Sequence, residues 1–77
     1  MSDKEMVYFI NELLRDKDGG YIPCIAVKGE VGYCHPTNWN WGIDLELANQ
    51  IADKKNAALG FTPKEASLIV LGTMKGL

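Results

Sequence analysis

The chain has 77 residues, 47% of them apolar, and eight basic residues stand against ten acidic ones. That length makes one domain, 1–77, with a core near the smallest that holds together unaided, and the apolar share excludes wholesale disorder. The slight acidity, with Lys54-Lys55 as the only adjacent basic pair, excludes the clustered footprint that duplex DNA or RNA binding requires.

Residues 3–15 carry two patterns. Ser2-x-x-Glu5 has the form of a capping box, and Met6, Phe9, Ile10, Leu13 and Leu14 match a helical stripe. Val7-Tyr8-Phe9-Ile10 instead favours a strand, and Asp16-Lys17-Asp18-Gly19-Gly20 suits a hairpin turn into Tyr21. Tyr21–Val27 is rich in aromatic and β-branched residues and apolar on both faces, so a strand is expected there, with Pro23 at an edge or bulge. Lys28-Gly29-Glu30 is a turn signal, and Val31–His35 reads as a short return strand.

The C-terminal half is helical. Asp44 is a good N-cap, Leu45, Ala48, Ile51, Ala52 and Leu59 form an apolar flank, and Asn49, Asp53 and Asn56 form the polar face opposite. Gly60 stops that helix. Thr62-Pro63-Lys64-Glu65 is a capping box with proline at the first helical position, and Phe61 is placed to staple onto Ala66. In the second helix Ala66, Ile69, Val70 and Met74 share one side, with Leu68 and Leu71 widening the stripe. The expected fold is α+β: a small antiparallel hairpin or three-stranded meander (about 6–15, 20–28 and 31–35) packed by two helices (about 44–59 and 63–75). The alternative, with residues 3–16 helical, gives α-β-β-α-α. A two-faced apolar strand in so short a chain needs cover on its second face, and self-association into a homo-oligomer is the simplest source.

Catalytic and metal chemistry find little footing. Cys24 and Cys34 face each other across the proposed hairpin and are expected as thiols rather than a disulfide. With His35 they make three zinc-type ligands, but no C-x-x-C knuckle or fourth ligand accompanies them, so no metal site is expected. No carboxylate pair, phosphate-binding glycine loop or nucleophile–base–orienter set stands out, so neither catalytic residues nor a cofactor are assigned. No apolar run approaches the ~18 residues of a membrane span, and Ser2-Asp3-Lys4-Glu5 does not begin a secretory leader; a soluble cytoplasmic protein without membrane association is expected.

The residues that point to recognition are aromatic. Trp39 and Trp41 stand one residue apart in Pro36-Thr37-Asn38-Trp39-Asn40-Trp41-Gly42, just ahead of the Asp44 helix. Each indole has roughly 150–250 Å² to bury. Packed beneath the helices, the pair would be core; at the surface, it would stack on a base or anchor a protein. In an extended segment both would share one face, with Asn38 and Asn40 on the other. Tyr21, Tyr33 and His35 form a second group around the hairpin, so the candidate binding residues are Tyr21, Tyr33, His35, Asn38, Trp39 and Trp41.

Asp18-Gly19-Gly20-Tyr21-Ile22-Pro23-Cys24, then Gly32-Tyr33, then Trp39-Asn40-Trp41-Gly42 with Asp44 and Ala48, then Ala52, Asn56, Leu59 and Gly60 form a pattern over most of residues 15–74. It resembles small proteins encoded by bacteriophages and integrated mobile elements. The resemblance implies a strand before the Asp-Gly-Gly turn, with a lead-in here that is longer and more helix-like. It also implies an accessory protein of the host-cell cytoplasm that binds and inhibits a host factor, often an immune one. The partner expected on that basis is a nucleotide-type signalling molecule or a host defence protein; the alternative is a structural or regulatory module of a phage or mobile element with no defence role.

Overall fold

Residues 6–15 pair as a strand. In the computed structural model, which describes residues 5–32 and 34–74, the order is β1 (Met6–Arg15), β2 (Tyr21–Val27), β3 (His35–Pro36), α1 (Leu45–Ala58) and α2 (Pro63–Met74). The three strands form one antiparallel sheet in the order β1-β2-β3. The helical alternative for residues 3–16 is not taken over its described part, residues 5–16. Pairing decides it: Val7 lies opposite Ala26 and Phe9 opposite Cys24, and Val7, Ala26 and Ala66 make a buried cluster on which Phe9, Phe61, Ile69 and Val70 pack.

The Asp16–Gly20 turn closes the β1–β2 hairpin through side chain and backbone together. The Asp16 Oδ1 accepts from the N–H groups of Asp18 and Gly20, each at 2.9 Å, and the Asp16 N–H donates to the Gly20 carbonyl at 2.9 Å. The ladder shifts register between Ile10 and Arg15, which stand opposite Pro23 and Tyr21. Leu13, inside that irregular stretch, is 93% exposed. Pro23 is buried in the central strand, beside this irregularity. Its carbonyl accepts from Thr37, so its backbone faces the β3 side, where the chain bends away at residues 38–39; the missing N–H costs no bond to β1.

The third strand is later and shorter than the expected 31–35. The Glu30 N–H closes a turn on Val27, and the Gly32 N–H goes to the Thr73 carbonyl at the end of α2 (2.6 Å), so pairing with β2 resumes only at His35 opposite Ile25. The second face of β2 is largely dry within the single chain: Tyr21, Pro23 and Val27 are buried and Ile25 half-buried.

Both helices begin and end as their local chemistry dictates. The Asp44 Oδ1 accepts from the Leu47 N–H, while Thr62 and Glu65 exchange the reciprocal bonds of a capping box at 3.0 and 3.2 Å. At the end of α1, Phe61 N–H bonds the Asn56 carbonyl and Gly60 N–H the Ala57 carbonyl, with Gly60 at φ +94°. Three leucines depart from the expected stripes: Leu59, Leu68 and Leu71 are half or more exposed, because the sheet is too narrow to cover a wide helical face. No helix among the described residues is long and apolar enough to cross a membrane.

Asn56, expected on the polar face of α1, is almost fully buried. Its Oδ1 accepts from the Tyr8 N–H at 2.7 Å and its Nδ2 donates to the Tyr8 carbonyl at 2.9 Å. The amide thus pairs with the free edge of β1 as another strand would, and stops the next chain from doing so at that point. Asn56→Ala leaves two backbone groups without partners and is expected to cost about 2–3 kcal/mol in urea unfolding, with faster exchange of the Tyr8 amide. A loss under about 0.5 kcal/mol, the usual range for a surface change, would contradict this role.

Candidate functional site

The segment from His35 to Gly42 runs back along β2 and is tied to it repeatedly. After the short β3 ladder, the Thr37 N–H and Oγ1 both donate to the Pro23 carbonyl, at 3.0 and 2.9 Å. Farther on, Trp41 N–H donates to Tyr21 O (2.9 Å) and Tyr21 N–H to Gly42 O (2.8 Å). Between these anchor points the chain bends at Asn38 and Trp39, and the Trp39 carbonyl accepts from Thr37 Oγ1 at 3.2 Å.

The two indoles have different surroundings. Trp39 is 47% exposed, at the bend of the loop. Trp41 is half-buried and leans on the Tyr8 ring, with centroids 5.7 Å apart and planes tilted by 54°. This spacing is that of a favourable tilted aromatic pair. Since the backbone of Tyr8 is held by Asn56, the indole of Trp41 rests on a ring that α1 has fixed in place.

A second tie comes from the hairpin turn. Asn40, between the tryptophans, donates from Nδ2 to the Asp16 Oδ2 and accepts from the Gly42 N–H through Oδ1 at 3.0 Å. Gly20 leaves the room for this: a Cβ there would lie 2.5 Å from the Asn40 Cγ. Asp16 thus accepts from Asp18, Gly20 and Asn40, and these bonds, the Gly20 amide foremost, hold its carboxyl below the ordinary aspartate value. Asp16, Gly20, Asn40 and Tyr8 were not among the candidates drawn from the sequence. The signals present were the Asp at the head of an Asp-Gly-Gly turn and an Asn enclosed by two indoles.

The remaining candidates have different surroundings. Tyr21 is buried, its hydroxyl accepting from Arg15 Nη2 at 2.8 Å and its ring lying 4.6 Å under the Arg15 guanidinium; it braces the loop from below. His35 is exposed and bonded to Glu30 at 2.7 Å, and Asn38 is exposed beside Trp39. Tyr33 lies outside the described residues. Asn38, Trp39 and Trp41 share this loop, the first two exposed and Trp41 half-buried against Tyr8.

Cys24 and Cys34 are free thiols. Burial, together with the neighbouring Cys34, pushes the Cys24 thiol up to about 11, which makes it a core group rather than a nucleophile. Among the described residues, no three His, Cys, Asp or Glu side chains gather as metal ligands. Two open clefts of about 560 and 610 Å³ flank α2, and neither is lined by Trp39 or Trp41.

Comparison of the chain with family models, with curated proteins and with solved structures finds no match.

Because the Asp16 carboxyl is lowered in the folded chain, its contribution to stability is complete above the ordinary aspartate pKa of 3.8 and fades as pH falls through the lowered value. Asp16→Asn is therefore expected to flatten the acid side of the stability–pH curve and to loosen the Trp41 environment, followed by tryptophan emission during acid titration. An acid limb unchanged from the parent would show that this carboxylate does not hold the loop.

Proposed function

We propose that this chain is a non-enzymatic binding protein whose loop around Trp39 anchors on another protein. The observation that carries the reading is that Trp39 stays 47% exposed on a loop otherwise tied down through Thr37, Asn40, Trp41 and Gly42. Leaving about half of an indole in water forgoes roughly 2 kcal/mol of burial. A held loop loses little freedom on docking, so most of that energy remains available to a complex. Exposed tryptophans on such supports are the usual hot spots of protein interfaces.

The form of the site favours a protein over a nucleotide. Small ligands are taken in concave sites, whereas Trp39 lines neither of the two clefts beside α2 and is 47% exposed. Asp44, whose carboxylate occupies the start of α1, opposes an anion at that helix end. Arg15, at the neighbouring turn, is already engaged with Tyr21.

Joined to the resemblance to phage and mobile-element proteins, this points to a host defence protein as the target and to blockade as the mechanism. The test is phage plating on a bacterium with an active defence system, with and without the chain, alongside co-purification. The expected result is restored plating by the parent chain and none by Trp39→Ala, with a host protein retained only by the parent. At so exposed a position the substitution should change stability by no more than about 0.5 kcal/mol, which unfolding curves check. Equal activity of Trp39→Ala, no effect of either protein, or a heat-released ligand absorbing at 260 nm in place of a protein would overturn the reading.

A further inference from the structure

A cleft of about 560 Å³ lies between α2 and the turn after β2. Its apolar lining comes from Phe61, Ile69, Val31 and Leu68, the last two 58% and 60% exposed. Its charged lining is Glu5, Glu30 and Glu65 against Lys28 alone. Lys28 and Glu5 neutralise each other, with Nζ and Oε2 2.8 Å apart, which leaves Glu65 and the His35-bonded Glu30 as the excess charge of the rim. The cleft is thus greasy in its floor and acidic at its rim.

Gly72 lines the same cleft, and among the described residues nothing requires a glycine there. It lies inside α2, its φ is not positive, and a Cβ built on it meets nothing within 4 Å. Apart from proline, glycine is the poorest residue for a helix interior. Among the described residues, neither backbone conformation nor packing demands it. What a missing Cβ does provide is a place where another chain's side chain can approach the α2 backbone.

We propose that this cleft docks a basic amphipathic helix of a partner protein, seating an apolar side chain over Gly72 between Val31 and Leu68 while its lysines or arginines face Glu30 and Glu65. The charge of the rim selects that occupant over an acidic one, and the open apolar floor matches the helix-in-groove mode of recognition. The site shares no residue with the Trp39 loop, so it stands or falls independently of the function proposed above.

The test uses the whole chain and a fluorescein-labelled Leu/Lys peptide of about 14 residues, long enough for close to four helical turns. A peptide with glutamate in place of every lysine is the control. Fluorescence anisotropy is expected to show saturable, salt-sensitive binding of the Lys peptide and none of the Glu peptide. Gly72→Ala is expected to raise the melting temperature yet weaken the Lys peptide about fivefold or more, an opposition that a merely structural glycine would not produce. Trp39→Ala should leave the peptide affinity unchanged. Equal binding of both peptides, no saturable binding, or full affinity in a folded Gly72→Ala variant would overturn the proposal.

Discussion

One buried amide sets the frame for everything else. Asn56 meets both backbone groups of Tyr8, so the end of α1 is fixed to the free edge of a narrow sheet. From there the consequences run outward. The same residue's carbonyl accepts from Phe61 N–H in the turn that starts α2, whose Ala66 joins Val7 and Ala26 in the core. On the other side, the clamped Tyr8 supplies the ring on which Trp41 rests. A small domain has few large side chains to spend on its core, and here the fully buried ones are modest: Val7, Pro23, Cys24, Thr73 and Asn56 itself. Directional bonds to the sheet edge therefore matter more than they would in a larger protein.

Magnitudes rank the remaining contacts. The ion pairs Lys28–Glu5 and His35–Glu30 sit in water and contribute little. Asp16 is different because its acceptors are filled by two turn amides and the Asn40 side chain at once. It ties the hairpin turn to the aromatic loop, and Gly20 is the small residue that lets Asn40 come close enough. The architecture thus holds the loop at two points, by Tyr8 and by Asp16, and still leaves Trp39 half in solvent.

The helices were legible in the sequence because their ends are chemically explicit: Asp44, Gly60 and the Thr62–Glu65 box each act locally. The strand character of residues 6–15 was not decided by local pattern, since Met6, Phe9, Ile10, Leu13 and Leu14 also suit a helix; pairing of Val7 with Ala26 and Phe9 with Cys24 settles it, and that is long-range information. Asn56 was misplaced because an asparagine on the polar side of an amphipathic helix looks solvated until a strand edge is set against it. The site was half legible. The tryptophans stood out by type, but which of them is covered depends on the Tyr8 ring, a long-range partner of Trp41. Asp16 and Asn40, 24 positions apart, carry no sign in the sequence that they bond.

The claim at the centre is that the fold holds one indole against Tyr8 while leaving its neighbour in solvent. Acrylamide quenching of the two single-tryptophan variants, Trp41→Phe and Trp39→Phe, measures this directly. The account predicts that Trp39 is quenched nearly as readily as an exposed indole and Trp41 several-fold less. Equal quenching of the two, or a protected Trp39, would contradict it.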